Sequence, residues 1–342
     1  MIKSPDLLVL KQVSAIKWSA DLEAFPSGLF HCAEWVYALS GKQTPAIFLN
    51  FESPEGEVLG KLSGLILPGN RLMGRKLYFF SSLLLRGRDK QLRSVCMEAL
   101  QLYARREGFS RVLIYSFDAR SSECLSFKGY YCEAMHEFVI DFSKSGGHVK
   151  MSSNLKRNAK KAIKAGVKIH RSTSISVLKR MMDLLLVTKE ERRQKYGQDY
   201  NPMYIQNMNE TSLGRLLDSG IGVMYYSELD GEINTVLFAL ENPQQLYFLL
   251  MGSDRVAYEN GIPALVAQHV SHYAREVGKI YYNLGVIPRE NSGGAGVRQF
   301  KQQQGAIEQM GHCYYSQFLK FPARLFNFWL KRRFKKNEST RL

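Results

Sequence analysis

KIYYNLGVIPRENSGGAGVRQFKQQQG, residues 279–305, is the stretch around which the chain is organised. Ile280 to Leu284 is a short apolar run that reads as a buried strand. A glycine-rich loop follows, then a short helix carrying Phe300 and Lys301. A strand that stops in glycines and re-emerges as a helix lets backbone N–H groups and one lysine face an anionic or developing-anionic group. The plainer alternative is a flexible loop and a surface lysine.

At 342 residues the chain is long for one core, so two domains are expected. A composition of 45% hydrophobic, 23% charged and 12% aromatic residues can furnish both cores. There is no run of about 18 apolar residues that would cross a membrane. The start, MIKSPDLLVLKQV, lacks the apolar region and cleavage site of a signal peptide. Five cysteines without Cys-x-x-Cys spacing point to reduced thiols in a cytoplasm, with no metal site and no disulfide framework. No His-Glu-x-x-His occurs, which argues against a zinc hydrolase. Charge is unevenly placed. Residues 142–182 hold eleven Lys/Arg and no acid, and residues 309–342 hold eight against Glu338 alone. These two stretches exceed the whole chain's +16, so the remainder is close to neutral. An anionic partner or a solvated basic face would each account for that pattern.

In the first half, strands are expected at Ala46–Asn50 and Val58–Leu67, joined by the turn at Ser53–Gly56, and at Leu77–Phe80. A helix capped by Asp89 runs to Glu107 and ends at Gly108, with Leu92, Cys96, Leu100 and Tyr103 on one face. A strand at Arg111–Phe117, a short helix at Ser121–Lys128 and strands over Tyr130–Phe142 close this half. A connector helix over 152–166 buries Leu155, Ala159, Ala162 and Ile163 and splays its lysines to the wet side. The second half repeats the outline. It has helices from Ile175 to Tyr196 and after Pro202, then strands at Ile221–Leu229, Glu232–Leu240 and Leu246–Met251. A helix at Ile262–Val277, the organising strand and helix, and a last strand near Cys313–Phe318 complete it. The class is α/β (α+β), each domain a mixed, mainly antiparallel sheet flanked by helices. The expected boundaries are 1–145, a basic connector at 146–170, a second domain at 171–320 and a tail at 321–342.

Ser153 to Val167, Thr188 to Arg192, and Tyr282 to Gly285 with Gly296 to Gly305 are three stretches that together resemble the FemAB-like branch of the GNAT acyltransferase superfamily. Ser153-Asn154-Leu155-Lys156-Arg157-Asn158 through Gly166-Val167 is similar to its S-x-N-x-R-R-N-x-R-K-A-x-K-x-G-V connector. Thr188 to Arg192 is similar to its threonine-then-arginine helix end. Tyr282-Asn283-Leu284-Gly285, then Gly296 to Lys301 and Gly305, is similar to Y-D-x-G … G-x-x-x-F-K-x-x-F-G. Asn283 and Gln304 depart from the family's aspartate and aromatic. The resemblance implies two tandem GNAT-like domains and acyl transfer to an amine of a sugar, peptidoglycan precursor or other cell-envelope component.

By match to those motifs, Lys301 is the candidate to stabilise the donor carbonyl or oxyanion, with Phe300 shaping its pocket and Gly285 and Arg298 expected to bind donor or substrate. The base has no obvious candidate; Tyr247, Tyr282 and Glu232 lie on the predicted sheet. Asn260 and Gly261, at the start of the Ile262 helix, would face the acyl donor. Lys156, Arg157 and Lys160 would hold acceptor phosphates on a nucleotide, a lipid-linked precursor or tRNA. The implied co-substrate is acyl-CoA or another acyl thioester, with aminoacyl-tRNA as the other donor class and no metal. The Q/R-x-x-G-x-G/A of acetyl-CoA enzymes is missing from both halves.

Residues 318–336, FLKFPARLFNFWLKRRFKK, interleave aromatics and cations in a way that suits the inner face of a membrane. The competing class is a non-catalytic module of the same fold, binding RNA or anionic lipid through its connector and tail.

Overall fold

The computed structural model describes residues 8–87, 89–119, 123–144, 149–197, 201–287 and 294–339. The loop at 288–293, Arg88 and the first residues of the helix expected at 121–128 lie outside that set. The chain divides into two compact units, one of residues 1–135 and 310–342, the other of residues 136–309. Residues 310–320 therefore group with the first unit, whereas the sequence reading ran the second domain to 320. The reason is a strand that leaves the second unit and completes the first.

The first unit comprises β1 (Val9–Gln12), α1 (Ala15–Ala20), α2 (Ala33–Leu39), β2 (Ala46–Glu52), β3 (Val58–Leu67), β4 (Lys76–Phe79), β5 (Leu84–Leu85), α3 (Lys90–Arg106), β6 (Arg111–Ile114) and the start of β7 (Tyr130–Asp141). Its sheet runs β1-β2-β3-β4-β6, antiparallel except for the parallel pair β4/β6. Asp89 caps α3 by accepting from the Gln91 and Leu92 N–H groups. The apolar face of α3, Cys96 and Leu100 included, packs in a core with Leu49, Phe51, Leu62 and Phe79. Residues 123–127 are irregular rather than helical.

The second unit contains the rest of β7, α4 (Ser153–Lys164), β8 (Lys168–Ser172), α5 (Ile175–Tyr196), α6 (Glu210–Asp218), β9 (Gly222–Leu229), β10 (Glu232–Glu241), β11 (Gln245–Ser253), α7 (Arg255–Glu259), α8 (Ile262–Glu276), β12 (Tyr281–Val286) and α9 (Gly294–Gln303). The chain then returns to the first unit through β13 (Ile307–Ser316), which pairs with β6, and ends in α10 (Asn327–Ser339). The second sheet runs β7-β12-β11-β10-β9-β8 and is antiparallel except for β11/β12. Asp230 and Gly231, at φ 53° and 81°, form the tight β9–β10 turn.

Pro202 does not open a helix: 201–208 is irregular, and α6 starts after Asn209, whose side chain accepts from Ser212 N–H in a capping box. On α4, Leu155, Ala159 and Ala162 are buried as expected, but Ile163 is 57% exposed. It sits one position beyond the narrow face that meets the core.

Candidate functional site

The site grows from the way β12 leaves the sheet. The parallel β11/β12 register holds only from Gln245↔Tyr281 to Tyr247↔Asn283. Beyond that, β11 continues to Ser253 with one edge still bonded to β10. Leu249 is an extra residue in the β10/β11 ladder, between Leu250, opposite Phe238, and Phe248, opposite Ala239. Bulges of this kind re-aim backbone and side chains beside binding sites. β12 is also irregular against β7 between Asn283 and Val286, and there Gly285 takes φ 74°. A side chain at 285 would meet the Phe248 carbonyl at 2.9 Å and the Tyr247 hydroxyl at 3.3 Å, so glycine is required.

A cleft of about 930 Å³ opens at this divergence, lined by Phe248 to Met251, Leu284 to Ile287, Phe300, Lys301 and Gln304. Gly261, Pro263 and Ala264 bring the start of α8 into it, and Asn158 contributes from α4. Glu191, Arg192 and Lys195 add charge from the last turns of α5.

Lys301 is 5% exposed. Its ammonium donates to the Gly285 carbonyl at 2.8 Å and the Val286 carbonyl at 2.6 Å, the oxygens that the β12 irregularity places beside it. Burial pulls its pKa down to about 7, and the Glu137 carboxylate opposes that shift. Glu137, on β7, is itself buried; it accepts from the Tyr247 hydroxyl at 2.8 Å and the Asn283 amide at 3.1 Å. The Asn283 side-chain oxygen accepts from Gly285 N–H at 2.8 Å. The departure from aspartate at 283 thus keeps the loop-fixing bond, and the amide supplies a donor where a second carboxylate would repel Glu137.

Of the residues expected from sequence, Lys301, Phe300, Gly285 and Gly261 line the cleft. Tyr247 supports it through Glu137. Tyr282 is fully buried in the core, and burial drives its phenol far above the ordinary tyrosine range, so it is not placed to accept a proton. Arg298 pairs with Glu308 and lies 5.8 Å from the Phe138 ring centroid, outside the cleft lining. Asn260 bonds the Val256 carbonyl and is also outside it, as is Glu232 at the start of β10. Lys156, Arg157 and Lys160 are exposed on α4 and do not line the cleft; among the described residues its cations besides Lys301 are Arg192 and Lys195. Sequence reasoning missed Glu137. Its one signal was an acid directly before the apolar run Phe138 to Ile140.

Thr188 ties α5 to the end of β11, its hydroxyl 2.9 Å from the Leu184 carbonyl and 3.3 Å from that of Ser253. Thr188→Val removes that donor from a buried position and is expected to cost about 1–3 kcal/mol, read from the denaturant midpoint. A midpoint equal to wild type would remove the hydroxyl from the frame of the cleft.

Residues 149–302 match the family described as "Acetyltransferase (GNAT) domain". This segment is a GNAT acetyltransferase domain. Its activity class, N-acyl transfer, is that of the chain. Among solved structures, the GNAT-containing chain is similar to FemX, with TM-score 0.68 and 13% identity over 94% of this chain and 99% of that one. It is similar to L-PGS from Bacillus licheniformis, with TM-score 0.58 and 14% identity over 93% and 96%. A tandem GNAT protein from the clavulanic acid biosynthesis pathway aligns with TM-score 0.52 and 14% identity over 92% and 99%. At these identities the likeness is one of fold. No curated protein matches the sequence.

Proposed function

We propose that the second unit transfers an acyl group from a thioester, acyl-CoA being the concrete case, to an amine of an anionic cell-envelope precursor. The observation that carries this reading is the buried Lys301 charge, set in the cleft where β11 loses its β12 partner. An amide-bearing donor would add along the unpaired edge of β11 as an extended strand does. The start of α8 would receive its phosphates. Arg192 and Lys195 suit an acceptor phosphate at the mouth.

In the reaction, the neutral amine attacks the acyl carbonyl carbon and a C–N bond forms. The carbonyl oxygen becomes an anion, for which the third N–H of the Lys301 ammonium is the donor. Collapse breaks the C–S bond; the leaving thiolate gains a proton, and the new amide nitrogen loses one. Glu191 at the mouth favours a second donor, an aminoacyl ester on tRNA, whose ammonium that carboxylate would meet.

Thermal shift and native mass spectrometry against acetyl-CoA, longer acyl-CoAs and aminoacyl-tRNA separate the two. Binding of a CoA ester, lost in Lys301→Ala, supports the thioester. Binding of aminoacyl-tRNA alone replaces it with the second reading.

The tail bears on where the acceptor lies. Leu330 and Phe334 pack on the first unit, with Phe334 stacked 4.6 Å from Tyr131. Phe321, Leu325, Phe328 and Trp329 are 71%, 68%, 57% and 64% exposed, among Lys320, Arg324, Lys331, Arg332 and Arg333. The aromatics thus divide between an anchored and an outward set, which fits a peripheral seat on an anionic membrane surface. Phe328→Ser/Trp329→Ser is expected to abolish co-sedimentation with phosphatidylglycerol vesicles. Retained co-sedimentation would remove the tail from membrane contact.

A further inference from the structure

Three side chains of the first unit converge that the sequence reading did not connect. Cys124 lies in the irregular segment before β7, Cys132 on β7 and His312 on β13. Their ligand atoms all lie within 4.8 Å of one another. The two sulfurs are 3.2 Å apart. Cys124 is exposed, Cys132 half-buried and His312 buried, so the group has one open side.

The segment that carries Cys124 is held from two directions. Lys90 of α3 pairs with Glu123, and Leu125 N–H donates to the Tyr314 hydroxyl at 3.2 Å. Gly129, just before β7, has its carbonyl bonded by Gln317 N–H at 2.9 Å. All three elements are fixed without help from the cluster.

Cysteine and histidine in this number suit zinc. Thiolate sulfur binds at about 2.3 Å and imidazole nitrogen at about 2.0–2.1 Å, which sets tetrahedral ligands roughly 3.5–3.8 Å apart. The observed group reaches that spacing with movements of about an ångström, the sulfurs parting slightly. The other nearby thiol, Cys313, is 3.6 Å from the Ser116 hydroxyl and 4.0 Å from the Met135 sulfur, so it points to a separate environment. The three side chains come from a loop and two strands far apart in the chain, so Cys-x-x-Cys spacing does not register them.

We propose that Cys124, Cys132 and His312 form a zinc site with three protein ligands and a water in the fourth position. Binding converts both thiols to thiolates and releases two protons to solvent, while the imidazole binds neutral. The ion clamps the 123–127 segment to β7 and β13. The described lining of the cleft belongs to the second unit, and the three proposed ligands belong to the first.

The test uses the full chain, reduced, stripped with a chelator and titrated with Co²⁺. One equivalent per chain is expected, with a thiolate-to-cobalt charge-transfer band that Zn²⁺ abolishes by displacement. Cys124→Ser, at an exposed position where folding is not at stake, is expected to weaken binding at least tenfold. Zn²⁺ should also protect Cys124 and Cys132 from alkylation. No charge-transfer band, or a band unchanged in Cys124→Ser, overturns the site. So does a Cys124–Cys132 disulfide in unreduced protein whose reduced form takes up no metal.

Discussion

Lys301→Met lowers turnover by about 10²–10³-fold, the loss expected when one well-placed donor to an oxyanion is removed. Methionine keeps the volume of the buried stem, so the fold survives and the loss is read as chemistry. The pH dependence identifies the role. With its pKa near 7, the folded-state lysine is an ammonium below that point and an amine above it. As a donor to the oxyanion, it gives wild type its greatest advantage over Lys301→Met below pH 7, and the ratio shrinks as pH rises. A ratio that grows through pH 7 would reassign Lys301 as the base that takes the proton of the attacking amine.

Stability carries the same signature. An unfolded lysine holds its proton until about pH 10.4. Between about 7 and about 10 the unfolded chain therefore binds more protons than the folded one, and unfolding free energy rises with pH. Lys301→Met is expected to lack that increment, with the difference visible in denaturant melts at pH 6 and pH 9. Parallel stability profiles for the two proteins would mean that the lysine does not titrate in this range.

The second large effect lies at Gly261. Its φ is 71°, and a side chain there would sit 2.6 Å from the Asn158 carbonyl of α4. Gly261→Ala carries about 1–2 kcal/mol for the left-handed conformation. Overpacking against backbone adds about 1–3 kcal/mol. The clash can be relieved only by moving α4 off α8, and α4 supplies Leu155, Ala159 and Ala162 to the core. At about 2–4 °C per kcal/mol for a unit of this size, Tm should fall by roughly 5–15 °C. Gly166→Ala is the control, because Gly166 has φ 84° but nothing within 4 Å. Equal losses in both variants would show that conformation alone matters and that the α4–α8 approach does not.

The regular elements were legible in the sequence because their signals are local. The apolar face of α3, the Asp89 cap and the Asp230-Gly231 turn each depend on residues a few positions apart. The short strands β1 and β8 were not legible, since VLKQ and KIHRS are partly polar and take their structure from the neighbour they pair with. The site divided in the same way. Of the residues that line the cleft, Lys301, Phe300 and Gly285 were readable from their motif and Gly261 from its place at the start of a helix. Glu137 was not, because its meaning depends on Asn283, 146 residues later. The α4 lysines lie on the wet side that the apolar stripe of their helix predicts, outside the described lining of the cleft.

The route of the chain has a consequence for how the protein is made. The first unit is assembled from both ends of the sequence, with the whole second unit between its parts. Strand β6 pairs with β13 at Tyr314↔Ile114 and Tyr315↔Leu113, and Val112 N–H donates to the Ser316 hydroxyl at 2.8 Å. On the ribosome, residues 1–135 therefore emerge first yet wait with an unpaired strand edge, while 136–309 can close on itself as soon as it is out. The later-born half matures first. In the interval that bare edge is the part of the nascent chain most open to mispairing or to capture by a chaperone.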